Sequence, residues 1–174
     1  MPPVIGLAAF SGSGKTTLAR RLIELLVQRG FRIGVIKHAH HDFDIDQPGK
    51  DSYELRKAGA EQTLISSRRR RALITEMGTR SEPALPALIS ELDPGLDLIV
   101  VEGFKHSDIP KLEIRRLEAR TPALAPTDPN VIAIVTDAPS DPSVSSGLPV
   151  LDLDAPERVV EFIVARFLTS TGSA

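Results

Sequence analysis

A chain of 174 residues, 41% hydrophobic and 25% charged, has the make-up of one ordinary globular domain, long enough to bury a core without covalent staples. It holds no cysteine, which excludes disulfides, thiolate metal sites and a cysteine nucleophile together. The formal net charge of -2 argues against nucleic acid as a partner, yet leaves room for a small anion at a local positive site.

The N-terminal MPPVIGLAAF has no basic leader region, and no window approaches the roughly 18 to 20 consecutive apolar residues of a membrane helix. A cytoplasmic protein without membrane contact is expected. Residues 1–168 read as a single domain and 169–174 as a flexible polar tail.

Val4 to Phe10 is a short apolar run, the pattern of a strand buried on both faces. The glycine-rich SGSGKTT follows. Leu18, Leu22, Leu25 and Leu26 then recur at helical spacing, opposite Arg20, Arg21, Glu24 and Gln28, and Gly30 closes this amphipathic helix. Phe31 to Lys37 reads as a second strand, which completes a βαβ unit with the glycine loop at its first turn. His38 to Lys50 is a polar loop closed by Pro48-Gly49, and Asp51, Ser52 and Glu54 suggest a capped short helix ending at Gly59.

Gln62 to Ser66 and Ala72 to Met77 predict a hairpin with Arg68 to Arg71 at its tip. Glu82 to Leu92 is expected to be a helix delayed by Pro83 and Pro86. Leu96 to Val101 is the clearest buried strand. Lys111 to Arg115 alternates polar and apolar residues and is expected at a sheet edge. Val131 to Val135 and Val150 to Leu153 complete the strands. Asp154 to Glu157 opens a last helix whose face is Val159, Val160, Ile163 and Phe167. The expected fold is three-layer α/β of the P-loop NTPase type, with a mainly parallel sheet and an additional antiparallel hairpin.

AAFSGSGKTT matches the Walker A spacing G-x-x-x-x-G-K-[ST] except at Ala9, where the first glycine would stand. That position precedes the cradle, so the loss changes the strand exit rather than the phosphate site. Ser11, Gly12, Ser13, Gly14, Lys15, Thr16 and Thr17 are the expected phosphate contacts: backbone N–H groups point inward, Lys15 supplies charge, and the Thr16 hydroxyl serves Mg²⁺. Glu102, at the carboxyl end of a buried strand and before Gly103, is the expected magnesium-site carboxylate. A surface glutamate at a strand exit is the plain alternative. Asp97 stands at the opposite end of that strand.

Asp42, Asp44 and Asp46 have calcium-loop spacing, but Gln47 and Tyr53 occupy positions where that loop needs glycine and glutamate. His38, His40 and His41 are a candidate transition-metal set without a visible fourth ligand. Alternatively the loop is a switch, with one aspartate, Asp46, reaching the magnesium or orienting a water, or it contacts a second substrate. Arg68 to Arg71 is either a solvated tip or a docking patch for an anionic surface.

AAFSGSGKTTLARRLI, KHAHHDFDIDQPGKDSYELRKAGAEQT and LDLIVVEGFKH, in this order, resemble the molybdopterin-guanine dinucleotide biosynthesis protein B family from the first strand to about Lys111. The resemblance implies a cytoplasmic, homodimeric adapter that binds GTP with Mg²⁺ and hydrolyses it slowly. Its implied partners are the molybdopterin guanylyltransferase and the molybdenum-insertion enzyme. It also implies that Gly12 to Thr17 hold the phosphates, that Glu102 serves the magnesium, and that Lys37 to Asp51 and Gly103 to His106 face the partner or the pterin. Alanine at position 9 agrees with that family. The guanine-reading element [NT]-K-x-D is absent; Asp137, after Thr136, is an aspartate in a suitable place without the lysine. The rival readings are a small-molecule kinase using Lys105, His106 or Asp42, and a metal or molybdate carrier using the histidines.

Overall fold

The computed structural model describes residues 1–10, 12–39, 42–119, 121–144 and 147–168; the expected tail at 169–174 lies outside them. The chain forms two compact units, Met1–His38 with Leu85–Ala174, and Ala39–Ala84.

In the first unit six strands make a wholly parallel sheet: β1 (Val4–Ala8), β2 (Ile33–Lys37), β5 (Leu98–Glu102), β6 (Lys111–Arg115), β7 (Val131–Thr136) and β8 (Val150–Asp152), in the order β2-β5-β1-β6-β7-β8. Alternate residues of the apolar strands serve opposite faces. Ile5, Leu7, Leu98, Val100, Leu112, Ile114, Ala133 and Val135 share one core with helices α1 (Lys15–Gln28) and α4 (Pro156–Ile163). Ile99 and Val101 turn the other way, with Ile36, onto Leu85 and Ile89 of α3 (Leu85–Ser90). The three expected layers are therefore present. Each fully buried leucine, such as Leu22 or Leu26, contributes about 1.5–3 kcal/mol.

Helix α1 ends at Gln28, and Gly30 follows with φ 90°, as its left-handed position demands. In α4 Pro156 takes the first turn, where its missing N–H costs nothing, and Val159, Val160 and Ile163 are buried as predicted. No side chain caps α4, whose cap position is Ala155. Helix α3 is shorter than the expected 82–92 stretch.

One placement differs from expectation. Strand β6 is not at an edge but lies between β1 and β7, with Lys111 and Glu113 only 1% exposed. Its alternation marks interior polar pairs rather than solvent. Lys111 Nζ donates to Asp128 Oδ2 at 2.7 Å and to the Ser107 carbonyl, and Glu113 accepts the Leu124 and Ala125 amides at 2.8 Å each. Burial pushes the Asp128 carboxyl up, but hydrogen bonds from Lys111 and Asn130 outweigh it and leave its pKa lowered.

The second unit holds α2 (Asp51–Lys57) and the antiparallel hairpin β3 (Gln62–Ser66) and β4 (Arg71–Thr75); of the arginines expected at its tip, Arg68 to Arg70 lie in the turn and Arg71 opens β4, paired with Ser66. Lys50, not Asp51, precedes α2, which has no side-chain cap. The unit's interior is ionic. Arg56, 8% exposed, bonds Asp44 Oδ2 at 2.6 Å and Glu76 Oε1 at 2.7 Å. The Arg56 hydrogen bond holds the Asp44 carboxyl below the usual carboxylate range, helped by the Asp46 amide.

Candidate functional site

In a parallel sheet all carboxyl ends emerge on one edge, so the turns after β1, β5, β6 and β7 gather there. The turn after β1 is the glycine-rich loop expected to hold phosphate. Gly12 and Gly14 hold φ 79° and 84°, conformations that a side chain would strain, and the chain passes directly from Gly14 into α1. The first turn of α1 carries no acid and no side-chain cap, so its N–H groups and the positive end of the helix remain for an anion. Ser13 is 5% exposed, and its hydroxyl is buried without a hydrogen-bond partner, a polar group already oriented into the loop. Of the expected contacts, Gly12 to Thr17 lie at this loop and helix start; Ser11 lies outside the described residues.

Strand β5 brings its carboxylate to the same place. Parallel pairing sets Leu7 of β1 beside Glu102, and the Thr16 hydroxyl donates to Glu102 Oε1 at 3.0 Å. A hydroxyl and a carboxylate are the hard oxygen donors that suit Mg²⁺, which otherwise keeps waters and phosphate oxygens. The donor set therefore fits that ion. Asp97, at the other end of β5, accepts the Arg32 amide at 2.7 Å.

The backbone after Glu102 is tightly specified. Gly103 has φ 101°, and a Cβ there would lie 2.6 Å from that of His38, so glycine is required twice over. Phe104 follows at φ 48°, a left-handed conformation rarely held by a bulky residue, and stacks on His38 with ring centroids 4.6 Å apart. Lys105 Nζ sits 5.2 Å from the centre of the Phe10 ring, a cation–π contact from this turn to the phosphate loop.

Asp137 follows β7 on the same edge. Its Oδ1 accepts the Leu117 amide at 3.0 Å and its Oδ2 faces Arg116 Nη1 at 3.3 Å. Arg116, which no motif signals, also lies beside the loop: a Cβ at Gly14 would stand 3.3 Å from its Nη2. A basic pair ending a strand next to the phosphate-loop strand is the only sequence trace of it.

Asp46 belongs to the second unit. There it accepts the Ser52 hydroxyl and the Gln47 amide at 3.0 Å each, and its Oδ2 lies 4.0 Å from Arg56 Nε. His40 and His41 lie outside the described residues, among which no group of three or more His, Asp or Glu side chains is arranged to hold a metal ion. Among the described residues no helix is long and apolar enough to cross a membrane.

Comparison with known proteins agrees with this geometry. A family model described as molybdopterin guanine dinucleotide synthesis protein B matches residues 4–137. The chain is 48% identical to the molybdopterin-guanine dinucleotide biosynthesis adapter protein of Escherichia coli K12, over 94% of this chain and 93% of that one. It is 38% identical to the adapter protein of the same description from Haemophilus influenzae, over 92% and 87%. Among solved structures, that of Bacillus subtilis MobB superposes with a TM-score of 0.73 at 27% identity, over 97% of this chain and 99% of that one.

Proposed function

This chain belongs to the molybdopterin guanine dinucleotide synthesis protein B family, and from that membership and its phosphate loop we propose that it is an adapter of molybdopterin-guanine dinucleotide biosynthesis that binds GTP with Mg²⁺. The observation that carries the nucleotide reading is the hydrogen bond between Thr16 and Glu102, which sets a hydroxyl and a carboxylate oxygen 3.0 Å apart beside the glycine loop.

In this reading the N–H groups from Gly12 to Thr17 cradle the phosphate oxygens and Lys15 neutralises the terminal phosphates. Thr16 and Glu102 hold the magnesium, directly or through its waters. When bound there, the ion would supply positive charge against the phosphates. Hydrolysis is slow, because stabilisation comes from loop amides, Lys15 and the ion, with no strong general base identified among the described residues. The partners are the guanylyltransferase that transfers GMP and the enzyme that inserts molybdenum. The active form is a homodimer.

The test is a calorimetric titration of the protein with GTP and with ATP, each with and without Mg²⁺, repeated on Lys15→Ala and Glu102→Gln. Magnesium-dependent binding that prefers GTP, lost in Lys15→Ala and made magnesium-insensitive in Glu102→Gln, is expected. Wild-type affinity in Lys15→Ala would refute the site. Turnover stimulated by a small acceptor rather than by a partner enzyme would replace the adapter with a kinase. Light scattering tests the dimer.

A further inference from the structure

We infer that Arg116 and Asp137 together read the nucleotide base, with Arg116 supplying from the end of β6 the cation that guanine-binding sequences place two residues before their aspartate. This rests on the proposal that the loop holds a nucleotide.

Two residues before Asp137 stands Val135, which is fully buried in the sheet core. A lysine there would have to bury its ammonium among Leu112, Ile114 and Ala133, so β7 itself has no room for the cation. The neighbouring strand provides it. Parallel pairing sets Arg115 of β6 beside Thr136 of β7, and the next residues in each chain, Arg116 and Asp137, leave the sheet side by side. Their contact follows from register.

The pair is built for presentation rather than for stability. Arg116 is 44% and Asp137 24% exposed, which makes a weak ion pair for the fold but leaves both groups reachable. An ionised carboxylate offers about four acceptor directions, and here Leu117 N–H and Arg116 take one on each oxygen. One direction on each oxygen stays open, which matches the two parallel donors, N1–H and the 2-amino group, on the edge of guanine. Adenine offers no such pair on that edge. Arg116 meanwhile orients the carboxylate, and its Nη2 lies 3.3 Å from where a Cβ on Gly14 would stand, so one guanidinium bonds the base-reading aspartate and lies near the glycine loop.

The experiment is a set of binding titrations with the magnesium complexes of GTP, ATP, inosine triphosphate and xanthosine triphosphate, on wild type, Arg116→Ala, Arg116→Lys and Asp137→Asn, with circular dichroism to verify folding. Arg116→Ala is expected to lose about ten-fold or more of GTP affinity with little change for ATP, and Arg116→Lys to recover part of it. Asp137→Asn should weaken GTP and favour xanthosine triphosphate, whose 2-carbonyl can accept from the new amide. Equal weakening for all four nucleotides in Arg116→Ala would make Arg116 a phosphate ligand and overturn the base-reading role. So would no change in any of them. A wild type that binds no nucleotide would overturn the proposed function itself, a result distinct from either.

Discussion

The sheet of the first unit and the hairpin of the second solve the same problem by different means. In the sheet, strands such as Leu98–Glu102 are apolar up to the terminal glutamate and covered on both faces. In the hairpin, Leu64 and Leu73 face each other across the ladder yet are 63% and 58% exposed, and the unit's buried contacts centre on Arg56 with its acids. The sheet is held by apolar area and carries the glycine loop and Glu102 on two adjacent strands. The hairpin unit depends on a few charge-assisted bonds, a design that solvent and pH can loosen.

The contrast can be broken where it is strongest, at the buried ion pair inside the sheet. Lys111→Ala leaves the Asp128 carboxylate without its cation and is expected to cost about 3–5 kcal/mol in urea unfolding. A cost comparable with that of an exposed salt bridge would mean that the sheet centre is not set by this pair.

In the second unit Arg56→Ala removes the partner of Asp44 and Glu76 together. Amide exchange across α2 and the hairpin should accelerate by about an order of magnitude or more, while the strands of the sheet stay protected. Uniform acceleration through both units would show that they unfold as one. Acid probes the same bonds. Because the Asp44 pKa is lowered in the folded state, its contribution is fully present above the unfolded carboxylate value of about 3.9 and is lost as pH falls from there through the folded value. Hairpin resonances followed by NMR below about pH 4 should broaden in wild type and show less acid dependence in Asp44→Asn. Equal acid sensitivity in the two proteins would remove Asp44 as the cause.

The smallest effect is expected at the hairpin surface. Leu73→Ala should change stability by no more than about 0.5 kcal/mol, because the side chain leaves little water-free contact behind. A loss near the roughly 2–5 kcal/mol expected of a buried leucine such as Leu112 would reveal a covered face, and light scattering of the same variant would tell whether a second copy covers it.

Much of this was legible in the chain. Continuous apolar runs, helical leucine spacing and the glycine-lysine-threonine offsets are local properties, so β1, the loop, α1, β5 and Glu102 were readable without any knowledge of neighbours. The polar residues of β6 were misleading for a physical reason: alternation means solvent only if no partner waits inside, and Asp128 and the amides at Leu124 and Ala125 do. The cap expected at Asp51 is absent because Asp51 is already the first helical residue and Lys50 holds the cap position.

By itself the sequence determined the types and order of the elements, the glycine-rich loop between β1 and α1 and the glutamate that ends β5, because each depends on residues within a few positions of one another. Only the tertiary structure decided that β6 runs through the middle of the sheet, that Arg56 gathers Asp44 and Glu76, and that Arg116 stands between Asp137 and Gly14. Those pairings join positions distant in the chain. Strand order and register select them, and neither is written in any local pattern.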